Sequence, residues 1–336
     1  MVNSIEDKKN ISVSINLNKR FNIVLKIFRK IAMPLLVIAF SLFVFSIKPR
    51  FLSLQNLANI SHQIVPMGLI ALGQTFVLIS GGIDISTGSV IALSAVTTGV
   101  VFGLTNNIWL AILAAVTIGL CIGILNSFLI AKVELPAMIV TLSTMSISMG
   151  LVLIVMGVMK RVFFISHPFL SFFGGKRILG IPYSFILLIF IFIIGYVLYN
   201  YTRLGIYTRA LGSNEVSAKL AGIGISRYRI IIYMFSSFLA GMGGVVITCR
   251  MSIVQPIIGG SLTILLESIA AVIIGGTSLL GGIGTIQGTF VGVILMGLIG
   301  NSLNVLNVNP NLQDIFRGAV LILILFFDRI VHRFEQ

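Results

Sequence analysis

Stretch after stretch of this sequence runs for about 20 residues with almost no charge, the length a helix needs to cross a bilayer. About ten such runs are legible on that criterion, at 31–47, 58–80, 88–104, 108–131, 136–158, 183–202, 230–250, 261–279, 284–303 and 312–328. Composition agrees. Of the 336 residues 57% are hydrophobic and 10% charged, with a mean hydropathy of +1.11, whereas soluble domains carry roughly 25% charged residues. Such a chain needs lipid as part of its solvent, and within lipid only structures that satisfy every backbone polar group internally survive. The expectation is an all-α integral membrane protein with one transmembrane domain over 31–330. Glycine-rich breaks leave the boundaries near 80–88 and 279–284 open. The 34 glycines suit helices that approach closely without a hydrophobic drive between them.

The net charge of +14 is distributed as membrane topology distributes it, and nothing resembles the basic groove with interleaved aromatics that binds nucleic acid. Lys8, Lys9, Lys19, Arg20, Lys26, Arg29 and Lys30 precede the first apolar run, and Arg203, Arg209, Lys219, Arg227 and Arg229 share one polar segment. With an even number of spans, the basic segment 1–30, the loop 203–229 and the tail 331–336 all fall in the cytoplasm. Residues 159–182 carry Lys160, Arg161, Lys176 and Arg177 yet fall outside, as a short surface segment. The first apolar run is followed by SIKPRF, not by small residues that invite signal cleavage, and reads as a retained anchor.

No phosphate-binding G-x-x-x-x-G-K-[ST], H-E-x-x-H or G-x-S-x-G occurs, so hydrolytic chemistry and ATP binding are not expected of this chain. No metal or other cofactor is expected either. Cys121 and Cys249 sit in apolar runs and read as packing residues. The most informative segment is LGIYTRALGSNEVSAKLAGIGISRYRI, residues 204–230. Ser213 or Asn214 can cap a helix start, Glu215 follows where the helix dipole favours an anion, and Gly222 suits the left-handed residue that closes a helix. A helix of about two turns is predicted there. A plain connector needs only a few residues, so a capped helix reads as a docking element.

Within ALGSNEVSAKLAGI, residues 210–223, Gly212, Glu215, Ala218 and Gly222 resemble the ATPase-coupling loop of ABC importer permeases of the branched-chain amino-acid/monosaccharide class. ALGQTFVLISGGIDISTGSVIALSA (71–95), GILNSFLIAKVELPAMIVTLSTMSISMGL (123–151) and ESIAAVIIGGTSLLGGIGTIQGTFVGVIL (267–295) resemble further segments of the monosaccharide permeases, in the same order, and most of all the ribose permeases. Val216 and Ser217 depart from the paired alanines that follow the glutamate in other importer families. The resemblance implies a larger-permease (type II) importer fold in a bacterial plasma (inner) membrane. It implies a separate ABC ATPase that binds ATP, an extracytoplasmic sugar-binding protein, and a second permease copy or paralogue as partners. The implied function is ATP-driven import of a monosaccharide by alternating access.

Polar residues inside the apolar runs are the other candidates. Asp84 in SGGIDISTG reads either as a pathway residue or, by preference, as an acceptor for free N–H groups of the Ser86–Gly88 turn at a helix break. Glu267 either lines a path or pairs with Arg250 or Arg317. Asp314 and Arg317 are three apart and should pair. Asn126, a candidate for the translocation path, and Gln74 read by preference as interhelical hydrogen-bonders and not as sugar ligands, and Trp109 as an interfacial aromatic. GGI at 81–83 and again at 281–283 reads as coincidence between glycine-rich breaks. The rival function is a stand-alone secondary transporter of a small polar solute, which would need coupling-ion ligands such as paired mid-membrane carboxylates. An intramembrane enzyme has no catalytic constellation to support it.

Overall fold

Helix α10 (Ile225–Met251) is the axis against which α2 (Leu54–Ile79), α3 (Thr87–Thr105) and α4 (Ile108–Ala131) all pack. Small residues make this possible. A Cβ on Gly119 of α4 would stand 2.8 Å from the Ser237 carbonyl, and one on Gly244 of α10 would stand 2.6 Å from the Ile91 carbonyl. Contacts this close between backbones hold membrane helices together by dispersion where lipid supplies no hydrophobic contrast. The structure is a computed structural model and describes residues 33–159, 163–164, 167–254 and 258–333. The basic segment 1–30 and residues 334–336 of the tail lie outside the described residues.

The remaining helices are α1 (Met33–Ile47), α5 (Ala137–Met159), α6 (Pro168–Gly175), α7 (Tyr183–Tyr201), α8 (Arg203–Ser213), α9 (Glu215–Leu220), α11 (Ile258–Ile274), α12 (Ile286–Val305) and α13 (Pro310–Arg333). Among the described residues α2, α3, α4, α5, α7, α10 and α12 are each long and apolar enough to cross a membrane, and α1 and the Leu262–Ile274 part of α11 are shorter apolar helices. The protein is therefore a multi-pass, all-α membrane protein. Helix α2 has 89% of its most apolar window buried within the protein, against 33% for α4 and 28% for α5, so α2 is an inner helix while α4 and α5 turn large side chains such as Leu113, Phe128, Ile139 and Ile154 outward to lipid.

The two ends of the bundle differ. At one end lie α8, α9, the α2–α3 break at Ser80–Ser86 and the α11–α12 break at Gly275–Thr285. At the other, Asn56 of α2 and Asn301 of α12 exchange side-chain hydrogen bonds at 2.8 and 3.2 Å, and α6 covers the end of α10, with His62 Nε2 2.7 Å from the Gly174 carbonyl. Two short antiparallel pairings lie at this end, β1 (Phe163–Phe164) with β4 (Ile253–Val254) against α3, and β2 (Arg177–Ile178) with β3 (Ile181–Pro182) beside α6. The charged stretch 159–182 is thus more than a surface connector: it holds a helix and three short strands.

Three boundaries differ from the sequence expectation. Helix α10 begins at Ile225 rather than 230, because Gly224 carries its N-cap and the polar turn Ser226–Arg229 is already helical. Helix α11 ends at Ile274, since Gly276 takes φ +84° and its N–H turns back to the Ile273 carbonyl at 2.8 Å. The segment 203–229 is not a loop around one short helix, because Arg203–Ser213 forms a helix of its own, capped by the Thr202 hydroxyl accepting from Leu204 N–H.

Candidate functional site

Helix α9 is closed at both ends by its own sequence. Asn214 Oδ1 accepts the Ser217 N–H at 2.9 Å, which satisfies one of the free donors of the first turn. At the other end Gly222 takes φ +77°, its N–H bonds the Lys219 carbonyl at 3.0 Å and the Ile223 N–H bonds the Ala218 carbonyl at 3.1 Å. This double return is a Schellman motif. Glu215 does more than face the dipole: its Oε2 pairs with Arg229 in the first turns of α10 at 2.5 Å. That partner, fourteen positions away, lies in the next helix, and no spacing rule within one helix points to it.

The four motif residues have four different jobs. Ala218 is buried, so its small size seats α9 against this chain and does not present a surface. Among the described residues Gly222 has no heavy atom within 4 Å of its missing Cβ, and the left-handed backbone is what demands glycine there. Gly212 lies in α8, where a Cβ would run into the Ile79 carbonyl and stand 2.5 Å from the Gly282 nitrogen. Glu215 ties α9 to α10. What faces away from the protein on α9 is Val216, 69% exposed, and Leu220, 84% exposed, one turn apart on the same face. In the sequence Val216 stands out only as a departure from a motif. Because Gly222 serves conformation only, Gly222→Asn, which tolerates a left-handed backbone, is expected to keep α9 and its function, whereas Gly222→Val is expected to unwind its end at a cost of about 1–2 kcal/mol. Amide exchange at Gly222 and Ile223 distinguishes them, and equal protection in both variants would contradict the assignment.

The two GGI sequences meet at this place. Gly81 (φ +81°) and Gly281 (φ +88°) both turn in the left-handed region, a Cβ on Gly281 would lie 3.1 Å from Gly212 Cα and from Gly81 Cα, and Gly282 N–H donates to the Ile79 carbonyl at 2.8 Å. Both breaks are therefore at the same end of the bundle, and helix α8 is pressed onto their junction.

Asp84 follows directly in the first break. It is wholly buried. Its Oδ1 accepts from Ser86 N–H at 3.0 Å and from the Ser86 hydroxyl at 2.6 Å, and its Oδ2 accepts from the Ser236 hydroxyl of α10 at 3.1 Å. Asn126 Nδ2 of α4 donates to Ser86 Oγ at 2.9 Å, and Gln74 Nε2 donates to the Asp84 carbonyl and, at 3.0 Å, to Thr87 Oγ1. Asp84 is placed as an acceptor at a helix break, and Asn126 and Gln74 as hydrogen-bonders between elements. Arg229, Tyr233, Ser236 and Ser237 share one face of α10 by helical spacing, so this face carries both the link to α9 and the link to Asp84.

Two cavities flank this core. One, of about 1050 Å³, opens at the α8–α9 end and is lined by Gly81, Gly82, Lys132, Glu134, Glu215 and Tyr233 among others. The second, of about 250 Å³, lies toward the opposite end between α2, α10, α11, α12 and α13. Glu267 lines it and pairs with Arg317 Nε at 3.0 Å, while Arg317 Nη1 also pairs with Asp314 at 3.2 Å. Of the two bases the sequence offers as partners for Glu267, the structure places Arg317 against it and not Arg250. Asp84 lines neither cavity. Trp109 is exposed beside the Asn107 cap of α4, and the two cysteines are free, Cys121 exposed and Cys249 buried.

The family description "Branched-chain amino acid transport system / permease component" matches residues 56–325. The chain is similar to the ribose import permease protein of Bacillus subtilis (strain 168), 39% identical over 284 residues that make up 84% of this chain and 87% of the relative. It is also similar to the L-arabinose transport system permease protein of Escherichia coli (strain K12), 38% identical over 306 residues covering 89% of each. The ribose import permease protein of the same E. coli strain is 33% identical over 285 residues, 84% of this chain and 88% of the relative. No solved structure matches the chain. The chain therefore belongs to the family of branched-chain amino acid transport system permease components, among its ABC sugar permeases.

Proposed function

We propose that this chain is the membrane-spanning permease subunit of an ATP-binding-cassette importer for a monosaccharide, ribose or a similar pentose or hexose. In this reading the ten apolar helices all cross the membrane as a type II permease domain over 31–330, both termini are cytoplasmic, and the α8–α9 end faces the cytoplasm. A separate ATPase binds ATP and docks on α9. An extracytoplasmic binding protein delivers the sugar to the opposite end, and a second copy or a paralogue completes the passage.

The observation that carries the proposal is α9 itself. A six-residue helix, Glu215–Leu220, is too short to be stable alone, yet it is capped at both ends and tied to α10. It holds out Val216 and Leu220, which are largely exposed among the described residues. An apolar pair at i and i+4 on a rigid, polar-flanked helix outside the apolar core is the form in which a helix docks into an apolar groove. Movement imposed on α9 passes through Glu215–Arg229 to α10 and on to the Asp84 break, which joins the inner helices α2 and α3. A nucleotide-driven closure of the ATPase shifts the balance of two permease conformations only through such a differential contact.

The secondary-transporter reading is weakened by placement. Asp84 and Glu267 lie toward opposite ends, one hydrogen-bonded to serines and the other to Arg317, so they do not form a shared ion site. The purified chain alone is expected to show no ATP hydrolysis, and ATP-dependent sugar uptake is expected in vesicles once the ATPase and binding protein are added. Leu220→Asp should lose the ATPase on co-purification by more than tenfold. Glu215→Ala should keep the complex and lower uptake at most about fivefold, the value of a partly exposed ion pair. Uptake by the chain alone, driven by an ion gradient, would overturn the proposal.

A further inference from the structure

The cavity of about 250 Å³ beside Glu267 has a composition that a packing defect in lipid would not have. On the reading above it lies in the outer half of the membrane. Glu267 is nine residues into α11 from Ile258, roughly 13 Å along the helix, and Arg250 stands at the far end of α10. The walls bring together a carboxylate, two guanidiniums and an amide: Glu267, Arg317, Arg250 and Gln63. Glu267 is engaged with Arg317, but Arg250 makes no ion pair among the described residues. Intramembrane charges are expensive and are kept where they serve a passage or a ligand.

The geometry points to a monosaccharide subsite inside this single subunit, with Arg250 and Gln63 as its principal donors and Glu267 as its acceptor. Planar guanidinium, carboxylate and amide groups each offer two parallel hydrogen-bonding positions, which match neighbouring hydroxyls of a sugar ring. The volume holds roughly eight waters at about 30 Å³ each, enough for a pentose or hexose and too little for a disaccharide. Apolar walls from Ile64, Met67 and Met296 suit the carbon face of such a ring. Gly300 lines the same space, and among the described residues no heavy atom lies within 4 Å of where its Cβ would be. A side chain can therefore be placed there as a reporter. The inference rests on the importer reading for its direction and adds the place where sugar is held on the way in.

The test uses the full complex of permease and ATPase in vesicles, without the binding protein. Cys121 and Cys249 are replaced by alanine, and Gly300→Cys or, separately, Gln63→Cys is introduced. A membrane-impermeant thiol reagent applied outside is expected to label either reporter. Millimolar D-ribose or L-arabinose should slow labelling severalfold, and sucrose should not. Adding Arg250→Met to the Gly300→Cys chain should raise the sugar concentration needed for protection by at least about tenfold, as expected for loss of a charged hydrogen bond. Labelling unaffected by either pentose, protection by inorganic phosphate instead, or no labelling of either reporter in any nucleotide state would each overturn the subsite. ATP-dependent sugar uptake is measured on the parent complex in parallel. Uptake without protection removes this inference alone, whereas absence of uptake removes the importer reading.

Discussion

Gly212→Val is expected to abolish ATP-dependent uptake while the chain still inserts in the membrane. Gly212 of α8 is the point where α8 rests on two helix breaks at once, and a Cβ there meets the Ile79 carbonyl and the Gly282 nitrogen. These two atoms are backbone and hydrogen-bond each other at 2.8 Å, so neither can rotate away as a side-chain tip could. Overpacking in a tight interior costs about 1–3 kcal/mol when side chains yield. Here the alternatives are to break the bond between the two breaks or to lift α8 off α2, and α9 is carried with α8. Loss of the ATPase on co-purification, together with a normal amount of chain in the membrane, is the expected pair of results. Gly222→Asn serves as the control that a change in this segment is not harmful in itself. A Gly212→Val complex that assembles and transports like the parent would contradict the seating of α8.

Asp84→Ala should be the more damaging of two changes at that position. The carboxylate accepts three hydrogen bonds in a wholly buried setting. Removing it strands the Ser86 N–H and two serine hydroxyls, at about 1–3 kcal/mol for each buried group left unmet. A loss of several kilocalories is large against ordinary stability margins, and a fall in folded protein in the membrane, read by detergent-resistant fluorescence or protease resistance, is expected. Asp84→Asn keeps an acceptor for Ser86 and can reverse the bond with Ser236 by donating to its hydroxyl. It should fold and should transport at a rate within a few fold of the parent. A variant with asparagine that folds fully but does not transport would show that the charge itself serves the passage.

The membrane-embedded, all-helical character was legible in the chain because the cost of exposing unsatisfied backbone to lipid leaves so few alternatives. Most helices lie within a few residues of the apolar runs that announced them. The α9 helix was legible for a different reason. Its caps are local, set by Asn214 at one end and Gly222 at the other, and a side chain three residues from its backbone partner needs no tertiary knowledge. Helix α8 is not legible in the sequence because LGIYTRALGS is neither apolar enough for a span nor capped by a residue within the polar segment 204–230. Its cap, Thr202, closes the preceding span.

The sequence by itself determined what kind of solvent this protein lives in, where its long apolar helices lie to within about a turn or two, and that a capped polar helix interrupts the apolar runs. Only the tertiary structure decided which groups meet. Glu215 with Arg229, Asp84 with Ser236, Glu267 with Arg317 and Gly212 with Gly281 are partners across 14, 152, 50 and 69 positions of chain. Such pairings depend on how helices pack, through ridges, grooves and close backbone approach, and no local periodicity encodes them. The same holds for the cavity at Glu267. Five helices supply its walls, and each wall residue taken alone is an ordinary polar or apolar position on its own helix.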